Sequence, residues 1–165
     1  EIPGAFKPDQ YANPNGPLSH YETTGPEIWR DTDGRITHFV AGLGTTGTFV
    51  GAGRMFKAYN PDIQLIGLQP DTALHGLEGW KHLETAVVPG IYDEHLADAF
   101  LEIDTAEAYE MIKAAKRHEG LLLSPSSAAN LVGAIKIAEK LDTGTIFTVL
   151  ADNADKYGEI IKQLF

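Results

Sequence analysis

Short apolar runs alternate with helical stretches along most of this 165-residue chain. Each run is bounded by turn-forming residues and is mostly apolar, as are strands buried on both faces of a parallel sheet. The runs lie at residues 36–41, 63–68, 100–103, 120–123 and 146–151. The helical stretches lie at residues 47–58, 105–118, 127–141 and 154–164. Since strands separated by helices join through βαβ crossovers, the pattern predicts a three-layer α/β/α fold with a mostly parallel, twisted sheet.

The first 35 residues do not follow this alternation. Residues 13–17 form a turn-rich segment, and only residues 18–31 have a helical pattern. We therefore predict a lead-in segment over residues 1–35 and a ligand-binding α/β domain over residues 36–165.

Charge and residue usage exclude several classes of function. The formal net charge is −10, with only 13 Lys and Arg residues, whereas nucleic-acid surfaces need clustered basic side chains. No cysteine is present, which excludes disulfides, thiolate metal sites and a thiol nucleophile. The apolar runs are too short to span a bilayer, and the N-terminus lacks a signal-peptide pattern. We expect a cytoplasmic protein that binds neither nucleic acid nor membrane.

A loop rich in glycine and threonine follows the first apolar run and opens the next helix. Its residues are Gly44, Thr45, Thr46, Gly47 and Thr48. Free backbone N–H groups at a helix N-terminus, the positive end of the helix dipole and hydroxyl donors together suit a phosphate group. The loop therefore predicts a ligand that carries phosphate.

Two other interpretations of this loop compete with that one. Residues 42–47 also match the dinucleotide pattern G-x-G-x-x-G, but that fold needs an acidic residue at the end of the next strand. Gln69 and Pro70 occupy that place, and Asp71 lies beyond the proline. A purely structural glycine turn is the second alternative.

Three serines form a second polar group where an apolar run leads into a helix. They are Ser124, Ser126 and Ser127. In an open α/β sheet, ligands bind at the carboxyl ends of the strands, where these side chains are expected. Capping of the helix accounts for one serine but not for three.

Several segments of the chain match one enzyme family in order. They are residues 10–17 (QYANPNGP), 20–29 (HYETTGPEIW), 44–48 (GTTGT), 66–70 (IGLQP) and 124–129 (SPSSAA). These segments resemble the C-terminal half of the cysteine synthases, which are pyridoxal-phosphate enzymes of fold type II. The chain departs from the family pattern at two places. Thr46 stands where many members have glycine, and this threonine variant is associated with the B-type synthases. Ser124 and Pro125 replace the more usual residues before Ser126.

The resemblance implies a cofactor, pyridoxal 5′-phosphate, and residues that hold it. The residues implied for its phosphate are Gly44, Thr45, Thr46, Gly47 and Thr48. Ser126 is implied at the pyridine nitrogen, where a neutral hydroxyl tempers the electron-sink character of the ring. Gln10 matches a position that holds the amino-acid substrate, although a hydrogen bond within the turn explains it equally well. Lys81 is a candidate cation for substrate binding, and a solvated loop lysine is the alternative.

The resemblance also implies a reaction and exposes a gap. The family reaction is β-replacement on an O-activated serine, either O-acetylserine or O-phosphoserine, with sulfide to give cysteine. The lysine that binds the cofactor lies in the family's N-terminal half, in an S-x-K-D-R-like segment, and none of the nine lysines here lies in such a motif. A reactive amine must lie within bonding reach of the cofactor aldehyde.

We therefore expect half of an active site, inactive alone, in a domain excerpt, a nicked chain or a split enzyme. Its expected partners are an N-terminal half that carries the lysine, a second copy in a homodimer of the complete enzyme and a small amino-acid substrate. The beginning of the chain, without methionine and with proline at position 3, favours an interrupted polypeptide. The alternative is a non-catalytic module that binds a phosphate ligand or a protein and has retained the loop.

Overall fold

A four-stranded parallel sheet forms the centre of the molecule. The computed structural model describes residues 2–165. Its strands are β1 (His38–Gly42), β2 (Gln64–Pro70), β3 (Ala99–Ile103) and β4 (Ile146–Thr148). They lie in the order β3-β2-β1-β4, and every pairing is parallel. The predicted α/β fold with a parallel sheet is therefore confirmed.

Helices cover both faces of the sheet. They are α1 (Asn15–Ser19), α2 (Gly25–Asp31), α3 (Gly47–Tyr59), α4 (Thr105–Glu119), α5 (Pro125–Ala138) and α6 (Gly158–Leu164). A single π-helical turn, His20–Thr24, joins α1 to α2, and a 3₁₀ turn, Ala154–Lys156, precedes α6. The lead-in is therefore helical from Asn15 to Asp31. This helical part begins three residues earlier than the sequence pattern predicts.

Successive residues of the inner strands point into two separate hydrophobic layers, as the period of a strand requires. Phe39 of β1 packs with Phe49 and Phe56 of α3 on one face, at ring-centroid distances of 6.0 and 5.2 Å. Val40 and Leu68 pack on the other face against α4 and α5. These two layers make the three-layer α/β/α architecture.

Two of the predicted strands differ from the structure. Residues 120–123 form no strand, and only Leu123 makes an isolated antiparallel bridge, with Asn153. Gly120 ends α4 in the left-handed conformation, with φ of 69°, and the Leu121 N–H binds the Ala115 carbonyl. This helix ending uses the backbone groups that a strand needs. The predicted strand 146–151 is also shorter and ends at Thr148.

Burial on both faces holds only for the inner strands. Of the five residues of β3, only Ile103 is buried, and all three residues of β4 are partly exposed. Both strands lie at the edges of the sheet, where one neighbouring strand is missing. The prediction of full burial is therefore wrong for β3 and β4.

Side-chain caps define the beginnings of α4 and α5. Asp104 accepts hydrogen bonds from the N–H groups of Ala106 and Glu107 at 2.8 and 3.0 Å, as its position before an acidic first turn predicts. Ser124 caps α5, and Pro125 lies in its first turn. The helix therefore begins at Pro125, two residues before the predicted start at residue 127. None of the helices among residues 2–165 has the length and apolar character of a membrane span.

Candidate functional site

A polar cleft of about 440 Å³ opens where β1 ends. Five parts of the chain meet there: the lead-in, the glycine-threonine loop, the loop after β2, the start of α5 and the segment after β4. The cleft-lining residues used below are Gln10, Tyr11, Gly44, Thr45, Thr46, Thr48, Glu78, Gly79, Trp80, Ser126, Asn130, Asp152, Lys156 and Tyr157. Cavities of this size hold small-molecule ligands and cofactors.

The glycine-threonine loop requires glycine at its first position. A side chain on Gly44 would overlap the carbonyl oxygen of Gly79 in the neighbouring loop. Gly79 itself adopts φ of 92°, which is strained for residues with a side chain. The two glycines therefore allow two backbones to approach closely at one wall of the cleft.

Thr46 has both a strained backbone and an unused hydroxyl. It lies immediately before α3 with φ of 72°, which is unusual for a β-branched residue. Only 3% of its surface is exposed, and its Oγ1 has no hydrogen-bond partner among residues 2–165. Since a buried hydroxyl without a partner is costly, this atom fits a ligand oxygen that the cleft would hold.

The other loop residues have defined neighbours. The Oγ1 of Thr45 lies 3.4 Å from the backbone nitrogen of Gly47, which is buried behind the loop and does not line the cleft. The Oγ1 of Thr48 lies 3.2 Å from Nε2 of His20. Of the five loop residues predicted to bind phosphate, Gly44 and the three threonines line the cleft, and Gly47 lies at the helix start outside it.

The three serines divide into two structural residues and one that faces the cleft. Ser124 caps α5 and donates to the Oγ of Ser127 at 2.9 Å. Ser127 donates to the Asp152 carbonyl oxygen, also at 2.9 Å, and so attaches the segment after β4 to α5. Ser126 has only a 3.4 Å contact with the Oγ of Ser124 and lines the cleft. Its hydroxyl is the one available to a ligand.

Asn130 joins the two chain segments that form the base of the cleft. It is 4% exposed, accepts from the Gly42 N–H at 2.8 Å and donates to the Val149 carbonyl at 2.7 Å. Sequence reasoning missed this residue. The available signal was a single amide within the apolar stretch of α5.

Asp152 and Asn153, which follow β4, have different roles in the structure. Asn153 accepts from the Asp155 N–H and caps the 3₁₀ turn. Asp152 lines the cleft and accepts from the Tyr157 hydroxyl at 3.0 Å, while its Oδ1 is buried without a partner among residues 2–165. Burial, reinforced by Asp152, raises the pKa of the Tyr157 phenol, so the phenol stays protonated and donates.

Gln10 lines the cleft, whereas Lys81 does not. The Lys81 ammonium lies 5.0 Å from the ring centroid of Tyr11, which itself lines the cleft. Among residues 2–165, Lys156 is the lysine that contributes to the lining, together with the acids Glu78 and Asp152. The cleft therefore combines uncharged donors at the loop with acidic and basic side chains elsewhere in its lining.

Comparisons with known proteins identify relatives of this chain. The sequence model described as "Pyridoxal-phosphate dependent enzyme" matches residues 1–152. The cysteine synthase of Aquifex aeolicus is 44% identical over 153 residues, which cover 90% of this chain and 47% of that protein. Cysteine synthase B of Escherichia coli is 36% identical, over 90% of this chain and 49% of that protein.

Solved structures give the same result. The crystal structure of cysteine synthase from Entamoeba histolytica superposes with a TM-score of 0.88 at 26% identity, over 98% of this chain and 54% of that one. O-ureido-L-serine synthase superposes with a TM-score of 0.85 at 32% identity, over 93% and 51%.

Thus the chain spans about half the length of the curated relatives it matches. The family match covers nearly the whole chain. The chain therefore belongs to the pyridoxal-phosphate-dependent enzyme family, in which its relatives are the cysteine synthases.

Proposed function

We propose that this chain is the cofactor-binding half of a cysteine synthase that replaces the activated oxygen of a serine derivative with sulfide. The observation that carries the proposal is the buried, unpartnered Oγ1 of Thr46, in the same cleft as Ser126. A phosphate oxygen satisfies the first hydroxyl, and a pyridine nitrogen suits the second. The name of its relatives supports the choice of reaction.

Each wall of the cleft has a distinct task in this proposal. Thr45, Thr46 and Thr48 bind the phosphate of pyridoxal 5′-phosphate, with the amides at the start of α3. Ser126 hydrogen-bonds the pyridine nitrogen. The bound cofactor supplies an electron sink for charge that develops at the substrate Cα. Because Ser126 is neutral, it moderates that sink in a way that suits loss of a leaving group from the β-carbon.

Substrate contacts are proposed at the open side of the cleft. Gln10 extends from the lead-in and binds the substrate carboxylate. The Lys81 ammonium lies over the ring of Tyr11. From this position its charge attracts an anionic substrate without contacting it. O-acetylserine and O-phosphoserine both satisfy these residues.

The reactive amine is proposed to come from a lysine-bearing N-terminal half, so that residues 36–165 serve as the cofactor-phosphate domain. A homodimer of the complete enzyme and a cytoplasmic location stay predictions. Lys156, which lines the cleft, is the residue here that most directly challenges the need for an external lysine.

Trapping with borohydride tests the origin of the amine. The chain alone is incubated with pyridoxal phosphate, reduced and analysed by peptide mass spectrometry, with Lys156→Gln and Lys81→Gln as paired variants. We expect no stoichiometric lysine adduct. A single adduct that disappears only in Lys156→Gln would refute the half-site proposal.

Reconstitution tests the reaction itself. The chain is mixed with a polypeptide that carries the N-terminal half of a related cysteine synthase, and cysteine formation from O-acetylserine or O-phosphoserine and sulfide is measured. We expect activity only in the mixture and its loss in Ser126→Ala. A stable complex that binds pyridoxal phosphate without cysteine formation would instead favour the non-catalytic binding module.

A further inference from the structure

A histidine lies directly behind the phosphate loop and contacts two threonine hydroxyls. The Nδ1 of His20 is 2.9 Å from Oγ1 of Thr24, and its Nε2 is 3.2 Å from Oγ1 of Thr48. Thr48 lines the cleft, whereas His20 does not. The imidazole therefore connects the lead-in to one of the hydroxyls proposed to bind phosphate.

Local backbone geometry makes this contact possible. His20 and Thr24 are the first and last residues of the π-helical turn, a feature that often marks functional positions in helices. A side chain at Gly51 of α3 would overlap the Pro17 carbonyl and crowd the Cβ of His20. Glycine at this position therefore lets the lead-in approach α3 closely enough for the imidazole to reach Thr48.

The polarity of the hydrogen-bond chain follows from the proton of Thr24. Among residues 2–165, the Thr24 hydroxyl has the imidazole Nδ1 as its hydrogen-bond partner, and a hydroxyl needs an acceptor for its proton. If Thr24 donates to Nδ1, the proton of the neutral ring lies on Nε2. Nε2–H then donates to Thr48, which leaves the Thr48 hydroxyl proton free for the cleft.

The opposite polarity is unfavourable when an anion is bound. Thr48 would then donate to Nε2 and present only lone pairs to the phosphate, while Nδ1–H would leave the Thr24 proton without an acceptor among residues 2–165. Burial lowers the pKa of the His20 imidazole below its usual range, so the ring is neutral at pH 7 and donates from one nitrogen only.

We propose that His20 is a positioning residue that, as its Nε2–H tautomer, directs the Thr48 hydroxyl proton towards the cofactor phosphate. The inference rests on the proposed function, which assigns the phosphate to this loop. His20 does not contact the cofactor, and its effect passes through Thr48. Thr24 completes the chain by fixing the tautomer.

Nuclear magnetic resonance measures the tautomer directly. Long-range ¹H–¹⁵N correlation spectra of the ¹⁵N-labelled chain distinguish the two protonated nitrogens, and the spectrum of His20→Gln identifies His20 among the six histidines. We expect the Nε2–H tautomer with pyridoxal phosphate bound. Binding is followed by the fluorescence of Trp80, which lines the cleft, with inorganic phosphate as competitor.

Four variants separate a positioning role of His20 from a packing role. A hydrogen bond to a charged group contributes enough that removal of the Thr48 donor is expected to weaken pyridoxal-phosphate binding about tenfold. His20→Leu should weaken binding as much as Thr48→Val, and the double variant no further. His20→Gln keeps an amide donor and should stay within about threefold of the unchanged chain.

His38 provides the matched control. It is also half-buried, it contacts the Oγ1 of Thr37 at 2.8 Å, and it does not line the cleft. His38→Leu should leave binding unchanged. A bound state with the Nδ1–H tautomer, or additive effects of His20→Leu and Thr48→Val, would overturn the inference and leave the proposed function intact. Absence of saturable, phosphate-competed binding would overturn both.

Discussion

The backbone N–H of Gly42 donates a 2.8 Å hydrogen bond to the side chain of Asn130, 88 residues later in the chain. The same amide donates to the Val149 carbonyl. One buried side chain therefore holds the end of β1 beside the segment that follows β4. The cleft lies between these segments, so its shape depends on this amide.

Replacement of Asn130 tests this role. Asn130→Leu leaves the half-buried Gly42 N–H and Val149 carbonyl without their side-chain partner, and we expect a loss of about 2–4 kcal/mol in the free energy of unfolding. Asn130→Asp keeps the acceptor for Gly42 but places a buried carboxylate against the Val149 carbonyl oxygen, so its loss should be larger. Urea denaturation monitored by circular dichroism measures both, and equal losses would contradict a two-sided clamp.

Thr46→Gly is expected to raise stability and weaken phosphate binding. The left-handed backbone of Thr46 costs about 1–2 kcal/mol for a residue with a side chain. Glycine removes this cost but loses about 0.5–1 kcal/mol through the greater chain entropy of the unfolded state. The net gain in stability should lie between zero and about 1.5 kcal/mol. The lost Oγ1 should weaken pyridoxal-phosphate binding, measured by Trp80 fluorescence.

Asp33 is the matched control for Thr46, since it is exposed, has φ of 50° and lies outside the cleft. Asp33→Gly should leave phosphate binding unchanged. Weaker binding in Asp33→Gly, or unchanged binding in Thr46→Gly, would show that the hydroxyl of Thr46 is not a ligand.

Ser124 and Ser126 should have separable effects. Ser124 is fully buried, caps α5 and bonds to Ser127, so Ser124→Ala is expected to cost about 1–2 kcal/mol of stability. Ser126 makes only one long contact, so Ser126→Ala should cost little stability. It should instead shift the absorbance of bound pyridoxal phosphate. Thermal unfolding and absorbance spectra of both variants check the division, and it fails if Ser126→Ala is the less stable variant.

Stability should decrease below about pH 6.5 because of three histidines. Burial lowers the pKa values of His20, His38 and His75, the last also through His82. The unfolded chain therefore binds protons first as the pH falls, so the stabilisation is complete above pH 6.5 and is lost as the pH falls through the lowered pKa values. Unfolding midpoints between pH 8 and 5 measure this loss. His38→Gln should reduce the slope, and an unchanged slope would contradict the assignment.

Much of the fold could be predicted from local pattern. The runs that became β1, β2 and β3 agree with the observed strands to within two residues, and the helix predicted at 105–118 extends one residue further. The strand predicted at residues 120–123 was wrong because both strands and the loops that connect helices can be apolar. There only three residues lie between Gly120, which caps the end of α4, and Ser124, which caps the beginning of α5.

The candidate site could be predicted only in part. The glycine-threonine loop and Ser126 were found because glycine and hydroxyl residues at strand ends indicate ligand binding locally. Local pattern alone did not separate Ser126 from Ser124 and Ser127, which only the family resemblance did, and it did not separate Asp152 from Asn153. These assignments depend on which hydroxyls and carboxylates already have partners across the fold.

The sequence by itself determined the alternation of strands and helices, the loop that precedes α3 and the family to which the chain belongs, since each is encoded within short segments. Only the tertiary structure decided that Asn130 clamps the cleft, that Lys156 rather than Lys81 lines it and that His20 contacts Thr48. The physical reason is distance along the chain. Contacts between residues far apart in sequence arise when helices pack on the sheet, and no local period records them.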